Sequence, residues 1–253
     1  MKVLVLFIAM VCAIACTTTE TILDFNLVEG SINKLDSAYV IFQEQAYRFP
    51  LDAQGKGTLK MNIKEDGFAI LVYGKLSTNI YLKQGNTLKV IWDKEDWRGG
   101  KMQVVSDDGG INEYIRLNIE KSFKKATECS FTLEEDSFMD KVEQTIRELS
   151  AGIDSTNFAP EIKDILKASS KYEVLYWIYK YPRFHNFGKR MSQEEYLAFK
   201  RFNEYMFDKF EAHPEYLCLT AYREYAVNWF YELMQLRCFG EPYILKKEKA
   251  CQY

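Results

Sequence analysis

The sequence is poor in the residues and patterns that most chemistry needs. Its 253 residues include two histidines, five prolines and thirteen glycines, and no C-x-x-C, G-x-S-x-G or G-x-G-x-x-G occurs. Without a histidine placed to serve a serine, no hydrolase triad is recognisable. Gly99-Gly100 and Gly109-Gly110 lack the frame that cradles a phosphate and read as turns. His185 and His213 stand in separate loops, at the end of one helix and the start of another. Neither has cysteines or carboxylates grouped around it at ligand spacing, so no zinc site is expected, and neither metal, cofactor nor catalytic residue is assigned. Lys+Arg number 33 against 36 Asp+Glu, a net charge of −3 with no basic block; nucleic-acid binding has no electrostatic footprint here. Scarce proline and glycine, with no low-complexity tract, argue for ordered structure without long linkers. No 34-residue helical repeat is found.

What is present starts at the first residues. Met1-Lys2 precedes an apolar run from Val3 to Ala15 that ends at Cys16. A run of roughly a dozen apolar residues falls short of the ~20 of a membrane span and fits a secretory signal. Ala13-Ile14-Ala15 is an A-x-A cleavage site, and with Cys16 behind it the segment resembles a bacterial lipobox, with Ala13 where leucine is usual. The expectation is a signal peptide over 1–15 and an acylated Cys16 as the lipid-attachment site. The mature chain would then be a lipoprotein tethered to a membrane of the cell envelope and facing the periplasm. Plain secretion is the alternative.

Four further cysteines, Cys129, Cys218, Cys238 and Cys251, would then sit in an oxidising compartment, and four allow three full pairings. Cys218 and Cys238 flank a helical pattern of 16 residues or more, which would hold them ~24 Å apart, beyond the ~7 Å reach of a disulfide. Isolated thiols, one structural disulfide and a redox pair all remain open.

From Thr21 to about Val105 the pattern is two-periodic. Residues 22–30, 38–42, 58–63, 68–73, 79–82 and 87–92 are short runs rich in β-branched and aromatic types, separated by turn signals at 52–57, 65–67 and 84–86, and read as strands. Strand starts recur about every ten residues with no helical pattern between them, which predicts an open antiparallel β-sandwich of about seven strands. At Ser106-Asp107-Asp108-Gly109-Gly110 the period changes to helical spacing. Five helices are expected, near 109–128, 133–151, 160–181, 193–211 and 220–238. Thr132-Leu133-Glu134-Glu135 and Ser192-Gln193-Glu194-Glu195 read as capping boxes, the second with a staple between Met191 and Tyr196, and Pro160 suits a first helical turn. The fold class is α+β: a β-sandwich over 16–106, a helical bundle over 107–240 and a tail over 241–253.

Glu134-Glu135-Asp136 and Glu194-Glu195 could suggest acid/base pairs. Adjacent carboxylates on a helix diverge, and both clusters fall in first turns, where negative charge complements the helix dipole; they read as capping. Aromatics make up 15% of the chain and crowd the helical part, from Tyr172 to Tyr231. Spacings such as Phe199, Phe202, Tyr205 or Tyr222, Tyr225, Trp229 trace one helix face, and flanking rings widen it. Core packing is the first reading, with some rings surfacing in a groove or docking face.

Three stretches carry a family resemblance: Phe25-Asn26-Leu27-Val28-Glu29-Gly30, Tyr81-Leu82-Lys83-Gln84-Gly85-Asn86-Thr87-Leu88-Lys89-Val90, and Gly110-Ile111-Asn112-Glu113-Tyr114. In this order, after an exported cysteine, they resemble the N-terminal half of the thioredoxin-like, TlpA/ResA-type thiol-disulfide oxidoreductase lipoproteins of Bacteroidota. The likeness covers nearly all of 16–245. In that family a W-C-x-x-C thioredoxin domain follows the helical segment; this sequence stops where that domain would begin, so disulfide reductase activity is not implied. The resemblance implies a non-enzymatic module that contacts another envelope protein. Two alternatives stand beside it. One is an accessory or truncated reductase working with a separate thioredoxin-like protein through Cys218 or Cys238. The other is a glycan-binding surface lipoprotein.

Overall fold

The computed structural model describes residues 20–28, 35–93, 102–185, 193–208 and 212–234. Eight strands come first: β1 (Thr21–Leu27), β2 (Ser37–Phe42), β3 (Gln45–Pro50), β4 (Lys56–Met61), β5 (Gly67–Tyr73), β6 (Leu76–Leu82), β7 (Thr87–Trp92) and β8 (Gln103–Val105). Helices follow: α1 (Ile111–Thr127), α2 (Glu135–Asp154), α3 (Pro160–Ile178), α4 (Tyr181–His185), α5 (Gln193–Leu197), α6 (Lys200–Asn203) and α7 (Thr220–Met234). A π turn (Glu204–Asp208) and a 3-10 turn (Pro214–Cys218) lie between α6 and α7. The α+β class expected from the periodicities is the one observed.

The chain divides into two compact units, Met1–Trp97 with Lys101–Glu113, and Arg98–Gly100 with Tyr114–Tyr253. Their boundary falls inside α1.

The first unit holds two four-stranded open sheets, ordered β4-β1-β7-β8 and β3-β2-β5-β6. The chain alternates between them, and β1 and β7 end up parallel, Phe25 beside Val90, while the other pairings are antiparallel. Alternating polarity fixes which face of a strand is buried, not its direction. β1 shows the alternation cleanly: Leu23, Phe25 and Leu27 are buried, and Ile22, Asp24 and Asn26 between them are half-buried. The inward rows of both sheets make one core around Phe25, whose ring meets Phe49 edge-on at 6.0 Å and Trp92 at 6.4 Å. Each such side chain contributes about 1.5–3 kcal/mol by leaving water.

β3 and β8 were not among the expected strands. β2 and β3 are joined through Gln43 and Glu44, both at positive φ (48° and 63°), with Phe42 opposite Gln45. That is a two-residue hairpin of the primed type, which usually announces itself with Asn-Gly or Asp-Gly. Gln-Glu is strained there and carries no such signal.

In the second unit, α2 packs on α3 and α6, and α3 packs on α7. α3 begins with Pro160 in its first turn behind Ala159, as the sequence predicts. The capping box at Thr132 does not form. Thr132 Oγ1 pairs with Ser130 Oγ at 2.8 Å, and Glu134 is the N-cap with no side-chain cap bond. The Glu135 carboxylate is engaged elsewhere: its Oε1 accepts the Phe202 backbone N–H at 2.7 Å. The box expected at Ser192 and its Met191 staple lie outside the described residues. The helix expected over 193–211 is broken into α5, α6 and the π turn. Phe202, 0% exposed, is the anchor of α6, and Arg201 beside it reaches Asp140 Oδ1 at 2.7 Å and Glu143 Oε1 at 3.3 Å on α2. These tertiary bonds replace the regular ladder that a continuous helix would keep.

Candidate functional site

Cys16, the one site residue assigned from the sequence, lies outside the described residues, as do Cys238 and Cys251. The two described cysteines are not joined to each other in a disulfide. Cys129 is 2% exposed, its sulfur 3.8 Å from Thr145 Oγ1, and burial pushes its thiol above the usual range. Cys218 ends the 3-10 turn half-buried, and its Sγ–H points at Glu215 O at 3.4 Å. Burial raises this thiol as well. A reactive cysteine needs the opposite, a thiolate favoured by a nearby positive charge or a helix N-terminus.

The 3-10 turn is nonetheless where chemistry-bearing side chains gather. His213 Nδ1 lies 2.9 Å from Glu215 Oε1 and donates to it, since a carboxylate only accepts. The ring is thus held by a local carboxylate at the start of the 3-10 turn. The His213 backbone N–H is held by Tyr222 Oη at 2.8 Å. His185 is different. Its Nδ1 donates to Phe131 O at 3.0 Å and its ring packs on Tyr181, a structural placement. Among the described residues no group of three or more His, Cys, Asp or Glu is arranged to hold a metal ion, and no helix is long and apolar enough to cross a membrane.

The carboxylate clusters keep their first-turn positions, Glu135 and Asp136 in α2 and Glu194 and Glu195 in α5. The first cluster also has tertiary partners, in Phe202 and Arg201.

Part of the described aromatic-rich region is core. Tyr172, Tyr181, Tyr196, Phe202, Tyr222 and Tyr225 are all buried. Phe131 is stacked with Trp177 (6.3 Å, 21°) and with Phe184 (5.6 Å, 22°). α7 divides its apolar residues between two faces. Tyr222 and Tyr225 face Tyr172 of α3 at 4.7 and 5.4 Å. Val227, Phe230 and Tyr231, spaced i, i+3, i+4, are 64%, 56% and 47% exposed and line up as a second stripe. In the first unit, the outward face of β4, β1 and β7 carries a shallow groove of about 320 Å³ lined by Asp24, Asn26, Lys56, Thr58, Lys89 and Ile91. Thr58 donates to Asp24 across it at 2.9 Å. The sequence signal for this groove is only the polar half of the alternation, which every solvent-facing strand shows.

No protein-family model matches the chain, and no curated protein does. Among solved structures it is similar to one described as a "putative cell adhesion protein from Bacteroides ovatus", at 12% identity, over 36% of this chain and 43% of that one, with a TM-score of 0.22. The chain thus spans less than half of that protein. A likeness at this level transfers neither fold nor function.

Proposed function

We propose that this chain is a non-catalytic, lipid-anchored module of the cell envelope that docks another envelope protein through the outer face of α7, and that it is akin to the N-terminal half of the TlpA/ResA-type lipoproteins. The observation that carries the docking role is the stripe of Val227, Phe230 and Tyr231. Three large apolar residues in register on a helix whose other face is already packed are what a helix-mediated contact uses. The anchor rests on the apolar run and lipobox-like segment ending at Cys16. The kinship rests on the sequence likeness of the three stretches alone.

A photo-crosslinking amino acid at Phe230, in cells expressing the full chain, tests the docking role. A discrete adduct with one envelope protein is expected, and it should vanish when Val227→Asp is added while the thermal midpoint stays within about 2 °C, as for surface changes of at most ~0.5 kcal/mol. An adduct unaffected by Val227→Asp would sink the assignment of this face.

A further inference from the structure

Five residue steps separate Cys16 from Thr21, and covalent geometry limits them to about 18 Å however they are arranged. Thr21 is the first residue of β1, and it is tied into one end of the sandwich. Its Oγ1 donates to Lys83 O at 3.3 Å and accepts the Gly85 N–H at 3.0 Å, and the next N–H, of Ile22, donates to Asn86 O at 2.9 Å. Other turns meet at this end. Asp66 of the β4–β5 turn accepts the Gln84 N–H at 2.7 Å, and Glu65 accepts from the Gln43 side chain at 2.6 Å, drawing in the β2–β3 hairpin. Gln43, Glu65, Asp66 and the 83–86 turn thus form a hydrogen-bonded rim around the point where the tether arrives. The opposite end of β1 is marked by the Asp52–Gly55 turn, where Leu27 N–H donates to Gly55 O at 3.0 Å, about 20 Å further along the strand.

We propose that this rim is the surface held against the phospholipid headgroups, and that the 52–55 turn is presented away from them. The inference rests on the lipid-anchor reading of Cys16. A sandwich hung by one corner on a tether shorter than its own strands cannot invert over an impenetrable surface without trapping the tether beneath itself. Charge is not what holds it there: Lys64 and Lys83 are outnumbered on the rim by Glu44, Glu65 and Asp66, and Lys60 is already paired with Glu20 at 3.1 Å. The orientation therefore persists on neutral vesicles and at high salt, unlike a polybasic attachment, which is screened within a Debye length.

The full-length lipidated protein, reconstituted in phosphatidylcholine vesicles containing a headgroup-nitroxide lipid, tests this. A small fluorophore is carried on a click-reactive amino acid at Gln84 or at Gln54, both exposed, which leaves the native cysteines untouched. At least threefold stronger quenching at Gln84 than at Gln54 is expected, unchanged in 0.5 M salt on the order-of-magnitude screening argument. Equal or reversed quenching in protein whose mass includes the lipid overturns the orientation and leaves the anchor standing. A mass without lipid overturns both.

Discussion

Asn112 takes the place of a neighbouring strand for Tyr81. Its Oδ1 accepts the Tyr81 N–H at 2.8 Å and its Nδ2 donates to Tyr81 O at 2.7 Å, so one side-chain amide satisfies both backbone groups of a residue on edge strand β6. Asp108 fixes the amide from behind, accepting from Asn112 Nδ2 and from the backbone N–H groups of Gly110 (2.9 Å), Ile111 (3.0 Å) and Asn112 (3.2 Å). Gly109 and Gly110, at φ of 73° and 87°, let the chain turn tightly enough for that cap. Asn112→Ala leaves two buried backbone groups unpaired and should destabilise the protein by about 2–4 kcal/mol, read from urea titration. Asn112→Asp keeps the acceptor but sets a second carboxylate against Asp108. Its defect should exceed that of alanine at pH 7 and shrink as pH falls below about 5, where protonation restores a donor.

Gly57 sits where β4 passes the end of β3. A Cβ there would come within 2.5 Å of Pro50 O and 2.7 Å of Leu51 Cδ2. The first of these is backbone and cannot swing aside. Gly57→Ala should destabilise by about 2 kcal/mol or more, measured as a lowered thermal midpoint. Gly109→Ala, with nothing within 4 Å but φ at +73°, should cost only about 1 kcal/mol through backbone strain.

The attachment of α6 to α2 has a polar and an apolar component of unequal weight. Arg201 is partly exposed in its pairing with Asp140 and Glu143, so Arg201→Met should lose about 1 kcal/mol at most and show faster hydrogen exchange over 200–208. Phe202 is fully buried; Phe202→Ala should lose about 3–5 kcal/mol. Comparable losses from the two variants would mean that the charges, not the ring, hold the segment.

Both described thiols are raised above their ordinary range, chiefly by burial. Iodoacetamide followed by peptide mass mapping should therefore modify Cys218 slowly at pH 7, with the rate climbing through and beyond pH 9, and Cys129 only on unfolding. A thiol that holds its proton more tightly in the folded state contributes nothing below the unfolded pKa of about 8.5 and favours unfolding as pH rises past it. Rapid labelling of Cys218 at pH 6–7 would instead support the accessory-reductase alternative.

Strands such as β1 and β7 were legible because they bury one side in the core and leave the other more open; Thr87 to Trp92 alternates without a fault. The β2–β3 hairpin was not, since Gln43 and Glu44 adopt a turn that neither residue favours and tertiary packing imposes. The helix starts at Pro160 and after Gly110 were legible from local chemistry. The Thr132 box failed because Glu135 had a competitor for its carboxylate 67 residues away, a distance no capping pattern encodes. At the candidate sites, the scarcity of cysteine and histidine patterns was plain in the sequence. The pairing of His213 with Glu215 carried no sequence signal, because a residue pair at i, i+2 before a 3-10 turn matches no ligand or capping spacing.

Residue order alone determined the α+β class, the switch from two-fold to helical period near Gly110, and the division of strands such as β1 and β7 into an inward and an outward row, because these follow from side-chain spacing along a regular backbone. Only the tertiary structure decided that β1 runs parallel to β7, that α6 is a separate piece anchored by Phe202, that Asn112 closes the edge of β6, and that Val227, Phe230 and Tyr231 face solvent. Each of these depends on which distant group reaches a polar atom or an apolar surface first, and spacing along the chain carries no record of that contest.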